Sequence, residues 1–167
     1  KLLADGSAMG ETHLELLIAV DSDAAGQQLV DKAVRLRRAR KTSEALLILL
    51  HLAQVDALDV EGRYQLALGR LLKDNEDGKS SAMSYTGDAT MGHISGLVRD
   101  SFPVFDRLKK ESMLQSDDLL RVGRHFNISI GPEQRLGTDM LVYVAEKYPK
   151  DKAGEEARMM IRDEGLG

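Results

Sequence analysis

From Gln28 to Leu72 apolar residues recur three and four positions apart, and the recurrence breaks only twice. This spacing follows the 3.6-residue turn of an α-helix, so each unbroken run gathers its apolar side chains on one face. Leu29, Val30, Ala33, Val34 and Leu36 make the first run, with Asp31, Lys32, Arg35 and Arg38 over much of the opposite face. The stripe stops at Lys41-Thr42, resumes from Leu46 to Leu52, and stops again near Asp56 to Asp59. It resumes through Leu66, Ala67, Leu68, Leu71 and Leu72. Three consecutive helices packed on one another are predicted.

The ends of these helices are written locally. The basic run Arg35 to Lys41 suits a helix C-terminus, where the macrodipole is negative. Thr42 or Ser43 is predicted to cap the second helix, and Asp56 or Asp59 the third. The second helix is apolar nearly all round (Leu46, Leu47, Ile48, Leu49, Leu50, Leu52), so it is expected between other helices.

Leu29, Ala33, Leu36, Ala45 and Leu49 stand at the signature spacing of a tetratricopeptide repeat, which this segment resembles. Leu66-Ala67 takes the same place in a second copy. Leu119, Val122-Gly123, Phe126, Gly137, Leu141 and Pro149 resemble a third, with about two residues inserted. The resemblance implies an all-α fold: a right-handed superhelical stack of antiparallel helix pairs, with about seven to nine helices. A HEAT-like array shares the small residues at helix crossings.

Composition agrees with helix over sheet. The chain has 167 residues, 43% of them hydrophobic, with three prolines and few β-branched runs. One domain is expected over 1–167: a loose N-terminal segment with a capping helix (1–22), the first repeat-like units (23–73), a loop (74–87) and a second helical half (88–167). The loop is turn-rich from Asp74 to Gly78 and Ser80-Ser81. Beyond it, Asp88 is predicted to cap a helix with Met91, Ile94, Leu97 and Val98 inward, and Gly92 and Gly96 serve a close helix crossing or loosen the segment. Ser101 and Pro103 start a helix burying Phe102, Val104, Phe105 and Leu108. Ser116 to Asp118 caps the next, Pro132-Glu133 opens another, and Lys150-Asp151 precedes a last helix with Ala157, Met160 and Ile161 inward.

Chemical motifs are sparse. The absence of cysteine excludes disulfides, thiolate nucleophiles and Cys-ligated zinc. His13, His51, His93 and His125 form no H-E-x-x-H pair. His51 reads as a satisfied interior or edge residue, and His125 as a partly exposed helix residue. Gly92 to Gly96 lacks the central serine of a nucleophile elbow. Asp74 to Ser84 lacks carboxylates at the first and twelfth positions of a calcium loop. Asn127-Ile128-Ser129 matches a glycosylation acceptor, a triplet common by chance. No phosphate loop and no apolar run of membrane-spanning length occur. No catalytic, cofactor or metal site is therefore predicted. A cytoplasmic location is favoured, although a chain beginning at Lys1 is compatible with a removed signal peptide.

The basic cluster of Arg35, Arg37, Arg38, Arg40 and Lys41 is either a solvated helix end or an anion-recognition patch for an acidic segment or phosphate. The tetratricopeptide resemblance places Val30, Val34, Arg37 and Arg38, and Arg124 in the third copy, on the groove side of their helices. It thereby implies a non-catalytic scaffold binding a protein or peptide partner in a helical groove. Val30 and Val34 stand where carboxylate-binding members carry lysine and asparagine, so a helical or extended peptide fits better than a C-terminal carboxylate. The alternative is a nucleic-acid- or phosphate-binding array, against which the net charge of −4 and the 4% aromatic content both argue. The third reading is an enzyme whose site assembles from dispersed acids and histidines.

Overall fold

The computed structural model describes residues 22–78 and 85–165, and every regular element among them is an α-helix. They are α1 (Ser22–Arg38), α2 (Thr42–Gln54), α3 (Val60–Glu76), α4 (Tyr85–Arg99), α5 (Val104–Lys110), α6 (Ser116–Asn127), α7 (Gly131–Lys147) and α8 (Lys152–Asp163). The run Leu14 to Val20, expected to cap the array, lies outside the described residues. The loop expected over 74–87 is narrower than its composition suggested. α3 continues to Glu76 and α4 starts at Tyr85, so Asp88 lies inside a helix rather than capping it.

Three helices stop in the same way. Arg40, Asp56 and Ser101 each take a positive φ, of 63°, 54° and 60°. The amide of the following residue then reaches back five positions: Lys41 to Leu36 O, Ala57 to Leu52 O and Phe102 to Leu97 O, at 2.9, 2.9 and 3.0 Å. These are Schellman caps, and they satisfy carbonyls that a helix end otherwise leaves open. They explain why the apolar stripe breaks at Lys41 and Asp56. Asp59 then caps α3 by accepting the Gly62 amide at 2.7 Å. Thr42 and Ser116 instead begin their helices, the cap positions falling to Lys41 and Gln115.

The chain gathers into two compact units that divide at Gly69-Arg70, within α3. In the first, α1 and α2 pair and bury Leu29, Val30, Ala33, Ala45, Leu46, Ile48, Leu49, Leu52 and Leu66. Four of the five first-copy signature positions are thus buried, and Leu36 packs at the edge. Burial on this scale, at roughly 25 cal/mol per Å² of apolar surface, is the main stabilising term. α2 is not enclosed all round, since Leu47 remains 60% exposed. The most completely buried stretch is in α3, where every residue from Tyr64 to Leu72 except Arg70 is buried.

In the second unit α6 pairs with α7, α7 with α8, and α6 also touches α8, while α4 packs on α7 and α5. Its core includes Met91, Ile94, Leu97, Leu119, Val122, Phe126, Met140, Leu141 and Val144. Two glycines set the closest approaches. A Cβ on Gly137 would overlap the backbone of Phe126 and Asn127, and one on Gly154 would overlap the Tyr148 carbonyl. The expected crossing at Gly92 is absent, because a Cβ there would meet nothing within 4 Å. In α8 only Ala157 of the three expected inward residues is buried; Met160 and Ile161 are half-buried.

Candidate docking surface

The short helix α5 does not bury its aromatic residues. Val104 and Leu108, four apart, point inward, whereas Phe102 and Phe105 stay half-buried, contrary to the burial expected of all four. Phe102 is held by the Schellman cap that ends α4, and Pro103 forms the N-cap of α5. The end of α4, α5 and the first half of α7 thereby enclose an open groove of about 800 Å³. Val98, Phe102, Pro103, Phe105 and Leu136 form its apolar walls, and Asp106, Arg135 and Asp139 are its charged lining. Ile128 and Ile130, just before the groove-lining Gly131-Pro132, are 83% and 86% exposed.

A polar pair lies next in sequence to the groove-lining Val98 and Pro132. Arg99 Nε donates to Glu133 Oε1 at 2.8 Å, joining the last turn of α4 to the first turn of α7. The hydrogen bonds from Arg99 and then Ser95 hold the Glu133 carboxyl below the usual range.

Phe105 also begins an aromatic ladder. Its ring meets Tyr143 edge-on, with centroids 6.0 Å apart and planes at 85°; Tyr143 meets Tyr148 likewise, at 6.4 Å and 87°. Lys109 Nζ lies 4.1 Å from the Phe105 centroid, and Lys147 Nζ lies 5.3 and 5.7 Å from those of Tyr143 and Tyr148. All three distances are within the range of cation–π attraction. Lys147 also donates to Tyr143 Oη at 2.7 Å, and that bond, followed by the two tyrosines' charges, raises its pKa. Arg107 covers Phe102 at 5.2 Å.

None of the site residues singled out from sequence is among the residues that line this groove. Val30 is buried against α3, where its Cγ2 would lie 3.3 Å from a Cβ on Gly62. Val34 is half-buried. Arg37 is buried, and its Nε donates to Gln65 Oε1 at 3.3 Å. Arg38 is exposed, and Arg124, in the other unit, pairs with Glu156 at 2.6 Å. The face of aromatic rings and lysines was nonetheless signalled. Lys109 follows Phe105, and Lys147 follows Tyr143, by four residues, one helical turn in each case.

One buried acid cluster lies apart from the groove lining. Arg121 Nη1 contacts Asp74 Oδ2 at 3.3 Å, and Arg121 Nη2 lies 4.0 Å from Asp118 Oδ1. Asp118 is wholly buried and accepts the Gln115 amide in a capping box at 2.9 Å. Burial pushes its pKa up to about 6, against the lowering effects of that hydrogen bond and of Arg121. None of the three residues lines the groove. Asp118 and Arg121, in the first half of α6, meet Asp74 of α3, and this capping and ion-pair role accounts for them structurally.

Of the histidines, His51 is half-buried, and its Nε2 has no hydrogen-bond partner among the described residues. His93 Nδ1 lies 2.7 Å from Ala89 O, and His125 is exposed. Among the described residues no three acids or histidines gather at metal-binding spacing, and no helix is long and apolar enough to cross a membrane. Compared with known families, curated proteins and solved structures, the chain gives no match.

Proposed function

We propose that the protein is a non-catalytic interaction module, built of tetratricopeptide-like helix pairs in a right-handed superhelical stack, that holds a polypeptide partner in the α4–α5–α7 groove. The observation that carries this reading is the groove itself: aromatic and aliphatic walls left open, beside two isoleucines more than four-fifths exposed. Exposed apolar surface of this kind is characteristic of docking sites. The repeat-like part rests on how the pairs cross. Ala33 and Ala45 are buried between α1 and α2, and Gly123 and Gly137 lie between α6 and α7 where Leu141 and the Phe126 backbone come closest. Neighbour-to-neighbour packing of α6, α7 and α8 is what a stacked array needs.

Site-specific photo-crosslinking tests this. A photoreactive residue replacing Gln134 on the groove, compared with one replacing Gln54 at the end of α2, is expected to capture one discrete polypeptide from lysate of the producing cell. The purified partner should then lose affinity for the protein when Ile128 and Ile130 are both changed to Ser, with the fold unchanged. Equal labelling from both positions, or unchanged affinity in the double variant, would remove the assignment.

A further inference from the structure

Resting on that reading, we infer that the partner presented to this surface is an acidic segment with apolar anchors, its anchors in the groove and its carboxylates on the lysine-covered ladder. Phe105 belongs to both features, so groove and ladder are one continuous surface. α5 ends with Arg107, Lys109 and Lys110, and α7 ends with Lys147, although the whole chain carries a net charge of −4. On α5 these three cations outnumber its one acid, Asp106, and the groove lining itself carries Asp106 and Asp139 against Arg135, so it is the α5 side of the ladder that is basic.

The lysines are partly ordered before any partner arrives. Lys109 is held on Phe105 and by Asp106 at 3.1 Å; Lys147 is held on two tyrosine rings and by the Tyr143 hydroxyl. An ammonium has three donors, and neither lysine uses all of them in these contacts. Pre-ordering lowers the entropy lost when a carboxylate binds. Apolar walls beside fixed cations select an anion that also carries apolar side chains.

Single-stranded nucleic acid fits less well. Successive bases stack on parallel, open ring faces. Here the rings stand perpendicular to one another, and lysines lie over their faces.

Fluorescence anisotropy with the full chain separates the possibilities. The probes are a fluorescein-labelled peptide alternating glutamate with leucine and phenylalanine, its glutamine and lysine counterparts, and oligo-thymidine. The glutamate peptide is expected to bind tightest and to weaken as salt rises. Changing Lys109 and Lys147 to Gln should weaken it about tenfold, the scale of two partly solvated charge contacts. The same change should leave the glutamine peptide unaffected, and arginine at both positions should restore binding. If the glutamine peptide binds as well as the glutamate one, the charge preference is wrong while groove docking stands. If no peptide binds, both fail. Tighter binding of oligo-thymidine, lost in the glutamine variant, would overturn the inference in favour of nucleic acid.

Discussion

Replacing Asp118 by Asn should stabilise the protein at neutral pH, although it removes a helix-capping carboxylate. Asp118, Asp74 and Arg121 together carry one more negative charge than positive, and Asp118 is fully buried. Asp117 on the same helix adds to the repulsion. The folded-state pKa of about 6 lies above the reference value of 3.8, so the folded protein binds this proton more tightly than the unfolded chain. Stability from this group is therefore greatest below the unfolded value, falls as pH rises through the window from 3.8 to about 6, and is level above it. A shift of that size corresponds to roughly 3 kcal/mol at 1.36 kcal/mol per pH unit. It is an upper bound for the Asn variant, which also forfeits attraction to Arg121. The Asn side-chain oxygen can still accept the Gln115 amide, so the cap survives. Urea unfolding followed by far-ultraviolet circular dichroism should make the variant more stable than the parent by about 1–3 kcal/mol at pH 7.5, the two converging near pH 4. Titration of the Asp118 carboxyl carbon by NMR gives the pKa directly. A variant less stable than the parent at pH 7.5, or a difference independent of pH, would refute the argument.

Other substitutions probe the packing. Gly137→Ala and Gly154→Ala should each lower stability by about 1–3 kcal/mol, because the opposing atoms are backbone and cannot rotate away. Gly92→Ala, in open space on α4, should raise it by up to about 1 kcal/mol; thermal melts compare the three. Arg37→Ala should cost about 1–3 kcal/mol by leaving the buried Gln65 amide oxygen without this donor, whereas Arg38→Ala should change stability by less than about 0.5 kcal/mol. Arg40→Gly and Ser101→Gly, at positive φ, should each stabilise by about 1 kcal/mol in urea titrations.

Much of the architecture was legible because helix periodicity is a local property. Leu29, Ala33, Ala45 and Leu49 are interior because the stripe that carries them can be buried in only one way. Helix ends were less legible. A Schellman cap on Arg40 or Ser101 uses a non-glycine residue in the left-handed region, and composition does not announce it. Arg37 illustrates the same limit for the site. Its charge suggested a partner, but its burial depends on Gln65, twenty-eight residues away.

Apolar patterning by itself determined that the described residues are helical and roughly where the helices lie, since periodicity depends on residues within a turn or two of each other. Which aromatic residues stay open was decided only by tertiary structure. Phe105 meets Tyr143, and Phe102 lines one groove with Leu136, through the packing of α4 on α7 and α5. A surface of that kind depends on how separate helices meet, and no single segment encodes it.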